Sequence, residues 1–198
     1  MEKLGYPHEI QKILSIIIIL FTILITAGLL TIKPLRVAFP SFLPGITCPT
    51  ATLCTDDVAK LVDAQKLYRT GYAHASTAVG PFIGSPRVVF CSAAACAEMF
   101  GMGKRAAAAI GDLGLIVAPR GWTAFYLTHE MIHYRQAESF GNLAMLTKPS
   151  WLIEGMAYSM SGDPRSLGAP FEEWRTQFEM WQATLGNQSV LQAAKNIK

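Results

Sequence analysis

The sequence predicts an α+β fold: a compact domain with a small sheet, a helix carrying an HExxH motif and a following helix carrying a glutamate, preceded by one transmembrane helix. Three observations predict it. Ile13 to Ile32 forms a twenty-residue run without a charge. Beyond it, segments with helical spacing alternate with short β-branched runs. Finally, LTHEMIHYRQ, Leu127 to Gln136, places two of the four histidines one helical turn apart. At 198 residues, 51% of them hydrophobic, the chain has room for one ordinary domain and an appendage.

In chain order, residues 1–12 read as a short tail and 13–32 as a membrane anchor. A helix of that length, rising about 1.5 Å per residue, spans roughly 30 Å, the hydrocarbon thickness of a bilayer. A secretory signal is the alternative, but its apolar region runs to about 7–15 residues. The weak cleavage candidate here, Ile25-Thr26-Ala27, falls inside the run. Lys3 and Lys12 before the span are balanced by Lys33 and Arg36 after it, so flanking charge does not orient it. Residues 33–49, with prolines at 34, 40, 44 and 49, predict an extended stalk.

Residues 50–198 make up the domain. Thr55-Asp56-Asp57 offers a capped start to a helix that continues through VAKLVDAQKLYRTGYA. Arg87–Cys91 has strand composition and leads into an Ala-rich helix from Ser92 to about Phe100. Gly114–Pro119, GLIVAP, is a second strand bounded by punctuating residues, whereas Ala106–Ala109 reads only as a low-complexity tract. The chain turns helical at Trp122, stops at Gly141-Asn142, and becomes helical again in WLIEGMAYSM after Pro149-Ser150. Ser161-Gly162-Asp163-Pro164 is a turn. Phe171, Trp174, Phe178, Trp181 and Leu185 recur at helical spacing as a core-facing stripe.

The four cysteines form two close pairs, Cys48 with Cys54 and Cys91 with Cys96. Three pairings are open from sequence; the local one is preferred, as disulfides in an oxidising compartment. Unpaired buried thiols are the alternative, and a zinc cage fits the spacing less well. Together with the anchor, this places the domain on the extracytoplasmic side, periplasmic or extracellular, of a single-pass membrane protein. Net charge is only +3, and no basic run or Gly-rich phosphate loop appears, which sets nucleic-acid and nucleotide roles aside.

Chemistry concentrates around His129. On a helix, neutral imidazoles at His129 and His133 share a face and can both reach a zinc ion. Glu130 sits beside the first of them, where it can serve as general base to an activated water. A catalytic zinc takes three protein ligands and leaves a position open, and Glu154 on the next helical segment is the candidate third. Gly155 beside it removes a side chain where helices must approach closely. Tyr158 shares the face of Glu154 and can orient a ligand or donate to an oxyanion, or simply pack in the core. Tyr134 is a weaker oxyanion candidate, and His74 reads as an ordinary surface or core histidine.

HEMIH followed by the Glu of WLIEGMA resembles the gluzincin group of zinc metallopeptidases, the thermolysin-like and aminopeptidase-like clan. The resemblance covers about Gly114 to Asp163. It implies Zn2+ held by His129, His133 and Glu154, Glu130 as general base, peptide or protein substrates, and GLIVAP as the edge strand along which a peptide lies. The chain departs from the thermolysin-like pattern at Tyr158, where those members carry an aspartate. Two other readings stand beside a peptidase: a zinc hydrolase of a non-peptide amide or ester, and a non-catalytic anchored binding module with a structural zinc.

Overall fold

The computed structural model describes residues 8–197, except for the side chains of residues 8, 9, 26, 27 and 29–31. Two helices, α1 (His8–Thr31) and α2 (Lys33–Ala38), precede the first strand, β1 (Leu53–Thr55). Then come α3 (Leu61–Val79), β2 (Val88–Phe90), α4 (Ala94–Met99), β3 (Ala107–Ala109) and β4 (Leu115–Val117). The remainder is helical: α5 (Ala124–Phe140), α6 (Asn142–Met145), α7 (Ser150–Met160), α8 (Phe171–Gln182) and α9 (Val190–Ala194). The fold is α+β with a small four-stranded sheet.

The strands lie in the order β1-β2-β4-β3; β1, β2 and β4 are parallel, and β3 is antiparallel to β4. Side chains alternate across the sheet because a strand repeats every two residues. Leu53, Val88, Phe90, Leu115 and Val117 enter the larger core, packed by α3, α5, α7, α8 and α9. Cys54, Val89, Cys91, Ala108 and Ile116 face a second core with Val37, Ile46 and Phe100. With both faces covered, these strands read as continuous apolar runs.

Glycines set two close helix approaches. A Cβ on Gly71 of α3 would stand 2.9 Å from Leu127 Cγ on α5, and one on Gly155 of α7 would stand 2.3 Å from the Trp174 carbonyl on α8. The approach expected at Gly155 therefore exists, with α8 as the partner. Phe178, from the aromatic stripe, is fully buried behind it.

Four expectations are corrected. First, α1 covers the apolar run, and its described side chains from Ile10 to Ile25 are exposed. Among the described residues, however, no helix is long and apolar enough to cross a membrane. Part of the expected span, and residues 1–7 of the tail, lie wholly or partly outside the described residues. The transmembrane anchor over 13–32 and the single-pass location are not upheld. Second, residues 33–49 are not an extended stalk. Pro34 falls at the start of α2, where its missing N–H costs nothing, and Val37 and Ile46 are buried in the second core. Third, Thr55 ends β1 rather than starting a helix; Asp57 caps the turn before α3 by accepting the Ala59 N–H. Fourth, β4, the GLIVAP strand, is paired on both sides, so it is not an edge. The edge on that side of the sheet is β3, the alanine tract.

The disulfides take the local pairing, Cys48–Cys54 and Cys91–Cys96. The first joins the segment before β1 to β1 itself, and the second joins the end of β2 to α4.

Candidate metal centre

Helix α5 contains no glycine or proline between Ala124 and Phe140 and ends where Gly141 adopts φ +86°, its N–H returning to the Ala137 carbonyl. This uninterrupted register puts His129 directly above His133. Helix α7 packs against α5 and carries Glu154 to the same place. His129 Nε2 and His133 Nε2 stand 3.0 Å apart, and each lies 3.5 Å from one carboxylate oxygen of Glu154. The two 3.5 Å contacts go to different oxygens of the carboxylate, and one ligand atom from each of the three residues lies within 4.8 Å of the others, close enough for a single ion to reach all three. The group could hold a metal ion, and among the described residues no fourth His, Cys, Asp or Glu joins it.

One of the two imidazoles, His133, is oriented from behind. Gln136, fully buried, donates its amide to the Ile153 carbonyl at 3.0 Å, so its Oε1 is the atom that meets His133 Nδ1 at 2.8 Å. An amide oxygen only accepts, which protonates Nδ1 and turns Nε2 toward the ligand cluster. Sequence reasoning missed this residue, although its place three positions after His133 on the same helix was a usable signal.

Burial and mutual hydrogen bonds set the electrostatics of the cluster. Burial alone lowers the His133 pKa, but the hydrogen bond and charge of Glu154, the charge of Glu130 and the Gln136 acceptor together raise it to about 9. For Glu154, burial pushes upward, and hydrogen bonds from both imidazoles hold the carboxyl well below the usual carboxylate range. Each group thus favours the charged form of the other. A metal ion displaces the proton and keeps the carboxylate.

The cluster opens into a cleft of about 840 Å³ that also presents Glu130, Tyr158, Asp163 and Arg165. Glu130 Oε2 accepts the Ala109 N–H at 2.7 Å, which ties the carboxylate to the edge strand. Tyr158 packs its ring edge-on to His129 at 4.4 Å and lies 5.4 Å from Phe171. Burial, reinforced by the charge of Glu154, raises its pKa, so it remains a hydroxyl donor at neutral pH. The turn after α7 does border the cleft. Asp163 grips Arg165 through both carboxylate oxygens, and Arg165 Nη1 donates to Tyr126 OH at 2.7 Å while its guanidinium lies 4.6 Å from the Tyr126 ring centre. Tyr134 points elsewhere, its ring 6.0 Å from Phe82 and its hydroxyl beside Gly84, and His74 is exposed on α3 away from the cleft.

Compared with protein-family models, curated proteins and solved structures, the chain matches none.

Proposed function

We propose that this chain is a zinc-dependent hydrolase of gluzincin type that cleaves peptide bonds, with His129, His133 and Glu154 as metal ligands and Glu130 as general base. The observation that carries the reading is the gathering of one ligand atom each from His129, His133 and Glu154 within 4.8 Å of one another, beside the Glu130 carboxylate, which takes no part in that group. A divalent ion held there acidifies water and polarises a carbonyl.

The chain's own residues supply the rest. Glu130 keeps one oxygen on the Ala109 N–H, and its other oxygen takes the proton of the attacking water and passes it to the leaving amine. Tyr158 donates its hydroxyl to the oxyanion that develops on the carbonyl. The substrate chain adds to β3. Ala106 and Ile110 bond inward to Ala118 and Gly114 on the β4 side, so Ala107 and Ala109, by alternation, turn their main-chain groups toward the cleft. The Ala107 N–H and C=O and the Ala109 C=O are then the anchors for an extended backbone, a contact indifferent to side-chain identity.

The test is metal content and turnover measured together. The zinc-loaded full chain should bind one equivalent of zinc and digest a peptide library. His129→Ala and Glu154→Ala should lose metal, and Glu130→Gln should keep metal and lose turnover. Cleavage of esters or non-peptide amides with no peptide cleaved would move the assignment to another hydrolase, and a Glu130→Gln protein with unchanged cellular function would make the metal structural.

A further inference from the structure

The cleft differs at its two ends. Strand β3 runs along it, and from Arg105 before the strand to Gly111 after it the extended chain covers roughly 20 Å. At the first end, a Cβ on Gly121 would meet the Ala106 carbonyl, which brings Arg120 and the positive N-terminal end of α5 beside Arg105 and Lys104. At the other end, Asn142 bonds to Asp112, which brings α6 with Leu143 and Leu146 beside Leu113.

Both ends are unpartnered in a way that points to a ligand. Lys104, Arg105 and Arg120 are exposed, and among the described residues no carboxylate lies within ion-pair distance of them. Arg105 is held in place by its own turn, Nη2 donating to the Gly101 carbonyl at 2.8 Å, which leaves Nη1 for another acceptor. Arg165 differs, because Asp163 already neutralises it. At the far end, Leu143 and Leu146 are each 81% exposed and Leu113 44%. Large apolar side chains gathered at one lip of a cleft mark a binding surface more strongly than the same residues scattered.

We propose that the cleft selects an extended polypeptide segment carrying apolar side chains on one side of the bond to be cut and a carboxylate on the other. The apolar side chains lie against Leu113, Leu143 and Leu146, and the carboxylate meets Lys104, Arg105 and Arg120. This rests on the hydrolase reading and names its substrate class. The carboxylate has two sources, an acidic side chain or the free end of a chain, and both present the same two oxygens to a guanidinium.

The experiment uses the zinc-loaded full-length chain in its Glu130→Gln form for binding and the unmutated form for cleavage. Fluorescent peptides with an apolar half and a charged half are made in both sequence orders. Each carries Glu, Gln or Lys in the charged half, with an amidated end, and a further Gln peptide keeps its free carboxyl end. By anisotropy at low salt, an acidic-half or free-end peptide should bind about tenfold tighter than its lysine counterpart in at least one order. Lys104→Glu with Arg120→Glu should reverse that preference, and Leu143→Ser with Leu146→Ser should weaken all the peptides alike. An advantage for the Glu peptide identifies a side-chain carboxylate, and one for the free-end peptide a chain terminus. Equal binding of Glu and Lys peptides, or no binding, overturns the proposal. Charge-selective binding without cleavage retains it and removes the peptidase reading, whereas cleavage without charge preference does the opposite.

Discussion

Gln136 fixes the ring of His133 by accepting its Nδ1–H at 2.8 Å while its own amide is anchored on the Ile153 carbonyl of α7. One buried amide thus connects the two helices that carry the candidate ligands His129, His133 and Glu154. Replacing it with leucine removes the acceptor that sets the tautomer. Gln136→Leu should lower zinc affinity about 10- to 100-fold, read by chelator competition; undiminished affinity would show that the ring orients itself.

Glu130 makes its bond to the Ala109 N–H through an oxygen that glutamine also possesses. Glu130→Gln should therefore fold, keep its zinc and lose about 10²- to 10⁴-fold in kcat. Zinc content and turnover on the same sample check this, and joint loss of both would make Glu130 a ligand instead.

For Tyr158 the ring and the hydroxyl can be separated. Phenylalanine preserves the contacts with His129 and Phe171. Tyr158→Phe should lower kcat about 10²- to 10³-fold with little change in KM. Unchanged kcat would leave the residue a packing role alone.

Asp163 bears on acid stability. Burial pushes its carboxyl pKa upward, but hydrogen bonds and charge from Arg165 prevail and hold it low. A depressed folded-state pKa contributes stability that is present above the unfolded value, about 3.9, and is lost as pH falls through the folded value. Between pH 7 and pH 3 the urea midpoint of the unmutated protein should fall further than that of Asp163→Asn; parallel declines would show that the pair does not bear on stability.

Gly155 tests the support behind Glu154. A methyl group there would stand 2.3 Å from the Trp174 carbonyl, a backbone atom that cannot swing aside. Gly155→Ala should cost about 1–3 kcal/mol or more, read by chemical denaturation, and loosen zinc binding as α7 shifts. Full stability would mean that α8 moves away freely.

Local chemistry in the sequence determined the helix carrying His129 and His133, the glutamate that completes the ligand types, the strands around Val88–Phe90 and Leu115–Val117, and the preference for close cysteine pairs. Each depends on residues near one another in the chain: a helical turn, a β-branched run, a short loop. Tertiary structure decided what depends on distant segments. Ala107–Ala109 carries no period-two pattern that three alanines could display, and only pairing with β4 makes it the edge of the cleft. GLIVAP has a convincing strand composition, but no strand's composition tells whether a neighbour covers both of its sides. Gln136 became an orienting residue only when α7 brought Ile153 to it, and the prolines of 33–49 gave no sign that Val37 and Ile46 would find a core. Pairing, packing and the convergence of side chains are non-local, so their free energy is set by partners that no single stretch of sequence contains.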